Sequence, residues 1–300
     1  MSIARGYSSK VNLDFLESFR VFAGTLNFTH AAKIRHLSQP ALHKQIRSLQ
    51  SELGAELYLR VGRNLELTDA GLRLARLAIE TSLRIEECRS DLRNEPQKPH
   101  FSLAAGRGAY LYLLGRGIQR FVKADVQLEL LTRDCPGTLT ALKRGQAQLG
   151  VTVLRDVPEG FSGEVIREVV PHLVVSQNHA LAKRKSIGLK QLNGVPLILP
   201  PKPSPMRESL STIFEHEKLC LSVSLEAAGW ELMMHFASLG LGATVVNGCC
   251  RPPRGTVAIP IHSLPSTRYT LLHMSDLQVS GQLHQLYHCI VNSAKRATLV

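Results

Sequence analysis

Hydrophobic residues recur at helical spacing through most of the first ninety positions. From Val11 to Arg93 the pattern predicts almost continuous helix with one interruption. The first helix has a stripe of apolar residues that we expect to be buried, formed by Leu13, Phe15, Leu16, Phe19, Phe22 and Ala23. The polar stretch 25–27 ends it, and Thr29 is the predicted N-cap of a second helix over residues 30–36.

A third helix is predicted over residues 39–53, with Ser38 as its N-cap, Pro40 in its first turn and Gly54 beyond its end. Its apolar face consists of Leu42, Ile46, Leu49 and Leu53. Its polar face carries Gln39, His43, Lys44 and Arg47. Two helices joined by a tight turn, with basic groups on the second, have the geometry that enters a major groove of DNA.

The interruption predicts a small β-hairpin followed by a long helix. Residues 57–61 and 65–67 alternate around Gly62-Arg63-Asn64, which is typical of a wing with a basic tip. Thr68 then caps a helix that reaches Arg93, about 37 Å long at 1.5 Å per residue. Its apolar stripe has no intramolecular partner visible in the sequence, so we expect it to pack against a second chain. The alternative is packing on the C-terminal domain of the same chain.

Beyond a predicted hinge at residues 94–100, short apolar strands alternate with helices. Strands over 101–105, 126–131 and 149–154 predict a parallel sheet, and a second set of elements follows over 172–253. Ligands of open α/β sheets bind beyond the carboxyl ends of strands. The candidate effector contacts at such positions are Gly106, Arg107, Thr132, Ser204, Arg207 and Trp230. For each the alternative is a structural role, as a turn glycine, a surface arginine or a core tryptophan.

Composition adds a strong basic bias. The formal net charge is +12 and the pI about 9.7, which favours a polyanionic partner such as nucleic acid. Only nine of the 36 Lys and Arg residues fall within residues 1–64, so the basicity extends beyond the predicted DNA-reading module. No apolar run reaches the roughly 18–20 residues of a membrane span, and residues 1–10 lack a signal-peptide pattern, so we expect a cytoplasmic protein.

The six cysteines are scattered without metal-ligand spacing, as expected for thiols in a reducing cytosol. We therefore predict no metal and no cofactor, with a redox role for Cys220 and Cys249 as the alternative. Enzyme motifs are missing as well: Leu111 breaks a GxGxxG pattern that starts at Gly106, and the chain has neither GxSxG nor a GKS or GKT loop. These observations predict a protein that is not an enzyme.

The N-terminal residues resemble those of the LysR-type transcriptional regulators. The resemblance lies in Phe28-Thr-His-Ala-Ala-Lys, Leu37-Ser-Gln-Pro-Ala-Leu-His-Lys-Gln-Ile-Arg-Ser-Leu-Gln, Leu53-Gly-Ala-Glu-Leu-Tyr-Leu-Arg and Leu67-Thr-Asp-Ala-Gly. It implies a winged helix-turn-helix over 1–67, a dimerisation helix over 68–93 and an α/β effector domain over 101–300. That domain has two lobes like those of periplasmic binding proteins, the first about 101–171 with 254–300 and the second about 172–253.

The resemblance also implies roles for single residues. Gln39 and Pro40 would contact base edges, and Lys44 and Arg47 would reach bases or phosphates. The phosphate and wing contacts would be Thr29, Arg60, Arg63 and Thr68. Ser38 and His43 complete the predicted DNA-binding set, although His43 stands where the family usually has a small serine. The sequence Pro203-Ser204-Pro205 resembles an anion cradle of the family, and Gln148 replaces a commonly acidic residue.

Together these features predict a regulator that binds promoter or operator DNA and responds to a small-molecule effector, for which we favour an anion. The resemblance implies a homodimer that pairs into a tetramer, and contact with RNA polymerase if the protein is an activator. No membrane partner is expected. The alternative functions are an architectural DNA-binding protein without ligand sensing and, less favoured, an α/β enzyme.

Overall fold

The computed structural model describes residues 11–93 and 98–297. The chain divides into two compact units. The first comprises the described residues up to Ala104 together with Asp125–Leu131 and Pro136–Gln148. The second comprises Ala105–Ala124, Thr132–Cys135 and the described residues from Leu149 onward. The domain bounds drawn from the sequence stay predictions, because these units follow packing rather than chain order.

The N-terminal part of the first unit has the predicted order of helices and hairpin. Its elements are α1 (Leu13–Thr25), α2 (Phe28–Ile34), α3 (Gln39–Leu53), β1 (Tyr58–Val61), β2 (Asn64–Leu67) and α4 (Asp69–Arg93). The fully buried core residues include Phe19, Phe22, Leu42, Ile46 and Leu49. Leu13 and Leu53 are exposed instead of buried, because each lies at the end of its helix where the apolar stripe runs past the core.

The helix starts confirm two of the three predicted caps. The Ala41 amide donates to Ser38 Oγ at 3.3 Å, and the Gly71 amide donates to Thr68 Oγ1 at 3.0 Å. The prediction for α2 is wrong, because its cap is Asn27, whose Oδ1 accepts from the His30 amide at 3.0 Å. The helix begins at Phe28, so Thr29 already lies inside its first turn.

Helix α4 has an intramolecular partner along part of its length. Leu74, Ala75 and Ala78 are buried in the same core as α1, which the sequence pattern did not show. Three further apolar residues of this helix, Leu77, Leu83 and Leu92, are exposed. The expectation of an unpartnered stripe is therefore wrong for the first set, and packing of the second set against another chain stays a prediction.

The elements after residue 98 form the α/β part of the chain. In order they are β3 (His100–Ala105), α5 (Arg107–Ala109), α6 (Gly115–Phe121), β4 (Gln127–Thr132), α7 (Cys135–Lys143), β5 (Leu149–Val153), β6 (Phe161–Val169), β7 (Pro171–Ser176), β8 (Pro196–Leu199), α8 (Pro205–His216), β9 (Ser222–Glu226), α9 (Trp230–Ser238), β10 (Thr244–Asn247), β11 (Thr256–Pro260), β12 (Thr267–Met274) and α10 (Gly281–Arg296). A π-helical segment, Tyr110–Leu114, separates α5 from α6.

The sheets contain both antiparallel and parallel pairs of strands. In the second unit β12 lies between β5 and β6 and runs antiparallel to both. Strand β7 lies between β10 and β11 and is antiparallel to both, whereas β8 and β9 are parallel. In the first unit β3 neighbours β4. The mixed α/β fold class is confirmed. Parallel pairing among the strands over 101–105, 126–131 and 149–154 stays a prediction.

Two strands of the structure were not predicted from the sequence. Residues 161–169 form β6, in which the charged residues Glu164, Arg167 and Glu168 interrupt the pattern of apolar residues. Residues 256–260 form β11, which pairs with β7. Strand β11 therefore belongs to the same sheet as residues 171–176, and the predicted return to the first lobe at about residue 254 stays a prediction.

Candidate nucleic-acid interface and effector site

Helix α3 separates a buried face from a polar one. Leu42, Ile46 and Leu49 are completely buried against the core, so the rotation of the helix about its axis is fixed. The opposite side forms a shallow concave surface lined by Gln39, Pro40, His43, Lys44, Arg47, Ser48 and Ser51. Of the predicted contacts, Gln39, Pro40, Lys44 and Arg47 are exposed there. This face can present amide and guanidinium donors to base edges and phosphates.

A polar network holds the three helices at fixed angles. Buried Ser18 donates to Gln45 Oε1 at 2.6 Å, and Arg35 Nε donates to Ser18 Oγ at 3.3 Å. The Arg35 guanidinium also pairs with Asp14 at 2.6 Å, and Gln45 Nε2 donates to the same carboxylate at 3.3 Å. The network joins α1, α2 and α3. The network could not be predicted from the sequence, because no local pattern connects residues 14, 18, 35 and 45.

His43 differs from its exposed neighbours on α3. It is half-buried, its ring centroid lies 4.9 Å from that of Phe28, and its Nε2 is 3.4 Å from Tyr58 Oη. Burial raises the pKa of Tyr58, so the phenol keeps its proton at neutral pH. These contacts connect α3 to the first strand of the hairpin. A DNA contact by His43 stays a prediction. Its contacts with Phe28 and Tyr58 help to position α3 against the hairpin.

The other predicted contacts lie around the hairpin and the start of α3. Thr29 Oγ1 donates to Gln39 Oε1 at 3.2 Å and so orients the Gln39 amide. Arg60 and Arg63 are exposed on the hairpin, where Arg60 Nε donates to the Gly62 carbonyl at 3.2 Å. Thr68 Oγ1 donates to the Glu56 carbonyl at 2.6 Å and accepts from Gly71. The Thr68 hydroxyl therefore serves the base of the hairpin, and its phosphate contact stays a prediction.

In the second unit, Gly106, Arg107 and Trp230 come together. Gly108 packs so closely beneath the indole that an added Cβ would lie 2.3 Å from Trp230 Cζ3. Arg107 Nε lies 3.7 Å from Glu231 Oε1, and its side chain remains 72% exposed. The Arg133 amide donates to the Ala105 carbonyl at 3.0 Å, which brings exposed Thr132 beside Gly106. These residues form one surface with a cation, a hydroxyl and an aromatic ring.

Ser204 and Arg207 lie at the start of α8 and have different surroundings. Ser204 occupies the N-cap position, but its side chain makes no capping hydrogen bond. Arg207 Nη1 donates to the Pro200 carbonyl at 3.1 Å and to the Glu226 carboxylate, and its side chain is only 11% exposed. Arg207 is therefore committed to holding the ends of β8 and β9. An effector contact by Arg207 stays a prediction.

Family models match both parts of the chain. Residues 13–72 match the model described as bacterial regulatory helix-turn-helix protein, lysR family, and residues 94–295 match the LysR substrate binding domain. The chain belongs to the LysR family. As a LysR-type transcriptional regulator, it binds DNA through its helix-turn-helix and responds to a small-molecule effector through its C-terminal domain.

Individual relatives agree with this assignment. The LysR-type chain is 30% identical over 244 residues to the HTH-type transcriptional regulator CatR of Pseudomonas putida, covering 79% of this chain and 82% of CatR. It is 27% identical over 247 residues to the transcriptional activator CmpR of Synechocystis, covering 77% and 78% of the two chains.

Solved structures show the same fold at lower identity. A full-length OxyR variant from Pseudomonas aeruginosa has a TM-score of 0.67 at 17% identity, covering 96% of this LysR-type chain and 99% of OxyR. Full-length BenM has a TM-score of 0.56 at 21% identity, covering 94% and 96%.

A buried polar cluster of this LysR-type chain was not assigned from the sequence. Asn247 Nδ2 donates to Tyr269 Oη at 2.9 Å, and Cys249 Sγ lies 3.9 Å from the same phenol. A hydrogen bond from the Cys250 thiol lowers the pKa of Cys249, whereas burial raises the pKa of Cys250. Cys220 is exposed and its amide donates to Asn193 Oδ1. A joint redox role for Cys220 and Cys249 stays an untested alternative.

Within residues 11–93 and 98–297, no group of three or more His, Cys, Asp or Glu side chains could hold a metal ion. Over the same ranges, no helix combines the length and hydrophobicity needed to cross a bilayer.

Proposed function

We propose that this LysR-type regulator reads an operator with Gln39, Pro40, Lys44 and Arg47 of α3, while Arg60 and Arg63 hold the backbone beside the wing. The observation that carries the proposal is the orientation of α3, in which Leu42, Ile46 and Leu49 are completely buried while Gln39, Lys44 and Arg47 are exposed. Amide and guanidinium groups at the N-terminal half of such a helix can form bidentate contacts with bases.

Several further features belong to the same proposal. Exposed Leu77, Leu83 and Leu92 of α4 favour association into a homodimer, which the family resemblance extends to a tetramer. The protein acts in the cytoplasm, where it meets promoter DNA, and it contacts RNA polymerase if it activates transcription. It works by binding and without catalysis.

The effector in this proposal is a small anion. It binds beside Gly106, Arg107, Thr132, Ser204 and Trp230, where an exposed guanidinium and an exposed hydroxyl lie near an aromatic ring. Binding closes the cleft, changes the angle between paired DNA modules and relaxes or tightens the DNA bend. Trp230 is the single tryptophan of the chain, so its fluorescence reports on this surface.

The first test is fluorescence anisotropy with the intergenic DNA beside the gene, over a range of salt concentrations and with a scrambled duplex as control. We expect a preference of about a hundredfold or more and a steep salt slope. Equally weak binding to both duplexes would contradict recognition of this site. No binding even at low salt would overturn the DNA-binding assignment.

A single substitution tests the role of α3. Arg47→Ala should weaken operator binding by about 1–3 kcal/mol, because it removes a charged donor to a base or phosphate. The matched control is Arg120→Ala, which removes another exposed arginine, on α6 in the part of the chain that matches the substrate binding domain. Equal affinity of the Arg47 variant and the wild type would remove Arg47 from the interface.

A further inference from the structure

The groove beside the wing continues beyond the helix-turn-helix. It has a volume of about 1080 Å³ and is lined on one side by predicted DNA contacts, among them Thr29, Gln39, Arg60 and Arg63. Its other wall includes Thr140, Lys143 and Arg144, from α7 and the residue that follows it. All of these residues belong to the first compact unit. A groove that starts at the DNA-reading face is therefore bounded by part of the C-terminal domain.

The end of α7 is held in this place by α4. Arg76 Nη1 donates to the Lys143 carbonyl at 3.3 Å. Gly145 has a φ of +70°, and a Cβ added there would lie 3.1 Å from Ile79 Cδ1 and 3.4 Å from Arg76 Cα. The backbone of α7 thus ends in close contact with the helix that follows the wing. Lys143 and Arg144 are carried on a packed element rather than on a loose loop.

The charge of the groove matches a nucleic-acid backbone. Four cationic side chains line it, Arg60, Arg63, Lys143 and Arg144, whereas Glu66 is the one carboxylate among its lining residues. Cations in the last turn of a helix are also favoured by the helix dipole. The dipole accounts for positive charge at the end of α7. It does not explain why Lys143 and Arg144 line the same groove as Arg60 and Arg63 of the wing.

We propose that Lys143 and Arg144 bind DNA phosphates next to those held by the wing. The inference rests on the proposed operator binding and extends it, because α7 lies within residues 94–295, the part of the chain that matches the substrate binding domain. The operator is then held jointly by the helix-turn-helix and by the domain that senses the effector. Any effector-induced shift of α7 changes the number of phosphate contacts and so the DNA affinity.

The test compares the double variant Lys143→Ala/Arg144→Ala with the wild type by anisotropy at several salt concentrations. Each lost phosphate contact should reduce the slope of log K against log salt by about 0.9, so the variant should lose up to roughly two units of slope. At moderate salt its affinity should fall about tenfold, equally for operator and scrambled duplex, because phosphate contacts do not read sequence. Arg47→Ala, in contrast, should weaken the operator more than the scrambled duplex.

Two matched variants control for net charge and for folding. Arg184→Ala/Lys185→Ala removes the same charge from an exposed segment outside the groove and should leave the slope unchanged. Lys143→Arg/Arg144→Lys keeps both charges and should keep the wild-type slope. A wild-type slope in the alanine variant, or tighter binding by it, would overturn the inference while operator binding itself stands. If the wild type binds no DNA, the proposed function fails, and this inference with it.

Discussion

The DNA-reading module and the effector region carry their candidate contacts in different ways. In the module these residues lie within one short stretch, 29–68, mostly on α3, whose Leu42, Ile46 and Leu49 are buried, and on a hairpin that is only partly buried. In the effector region they come from separate segments near residues 106, 132, 204 and 230, of which the fold brings the first, second and fourth near one another. A contiguous motif can therefore fix DNA binding, while the effector site depends on long-range packing.

The cationic residues of the two regions also differ in whether a carboxylate of the same chain lies beside them. Lys44 and Arg47 lie exposed on α3, whereas Arg107 faces Glu231 and Arg207 is bonded to Glu226. In the proposed function, the first pair is open to a polyanion. An anion at Arg107 would have to compete with the Glu231 carboxylate beside it. The exposed cations of α3 are thus suited to binding any polyanion by charge. The surface around Arg107 is suited to an anion that can replace Glu231 as the partner of the guanidinium.

A close-packed glycine in each region tests this comparison. Gly71 in α4 should tolerate no side chain, because an added Cβ would lie 1.9 Å from the Leu57 carbonyl oxygen. That neighbour is backbone and cannot move aside. Gly71→Ala should therefore cost about 3 kcal/mol of folding free energy in the module. Circular dichroism during urea unfolding and the operator anisotropy assay should both show the loss.

The control for Gly71→Ala is Gly24→Ala. Gly24 lies in α1, and a Cβ added there would meet no neighbouring atom within 4 Å. The exchange should stabilise the helix by up to about 1 kcal/mol. If both variants unfolded at the wild-type urea concentration, the close approach of α4 to the residue before β1 would be disproved.

The corresponding glycine of the effector region should give a smaller effect. An added Cβ at Gly108 would meet the Trp230 ring at 2.3 Å, but a side chain can shift where a carbonyl cannot. Gly108→Ala should cost about 1–2 kcal/mol and change the emission maximum of the single tryptophan. Operator affinity without effector should stay at the wild-type value.

Gly115→Ala is the matched control, because its Cβ would make only an ordinary 3.5 Å contact with the Tyr110 carbonyl. Its emission should match that of the wild type. Identical spectra for all three proteins would show that Trp230 does not cover Gly108.

The same contrast decides what the sequence could predict. The caps at Ser38 and Thr68, the left-handed Gly54 and the hairpin all follow from a few neighbouring residues, and the structure confirms them. The cap of α2 was misplaced by two residues, from Asn27 to Thr29, because both types cap helices well. Local signals thus settled the elements of the module to within a turn.

Features that depend on distant neighbours were not predictable in this way. Strands β6 and β11 become strands through pairing with β12 and β7, and β6 has charges that obscure its pattern. The burial of Arg207 depends on Glu226, nineteen residues away along the chain. An arginine at a helix start has the same local sequence whether it meets a ligand or a carboxylate of its own chain. The choice between these roles needs the fold.

The smallest effect is expected from replacing the serines that precede α3 and α8. Ser38 caps its helix, so Ser38→Ala should destabilise the start of α3 by about 1 kcal/mol and speed amide exchange there roughly fivefold. Ser204 occupies the same position before α8 without a capping bond, so Ser204→Ala should leave exchange in α8 almost unchanged. Hydrogen exchange measured by mass spectrometry on both variants compares each helix with its own wild-type rate.

Two further variants separate bulk from hydrogen bonding. Ser38→Thr should restore the cap of α3, because threonine supplies the same hydroxyl. Ser204→Leu should abolish the response to an effector while DNA binding persists, because its bulk fills the space beside the start of α8. A larger exchange increase in α8 than in α3, or a normal response of Ser204→Leu, would reverse the assignment. A larger exchange increase in α3 than in α8 would mean that the Ser38 hydroxyl stabilises the fold, while the Ser204 hydroxyl is left for a ligand.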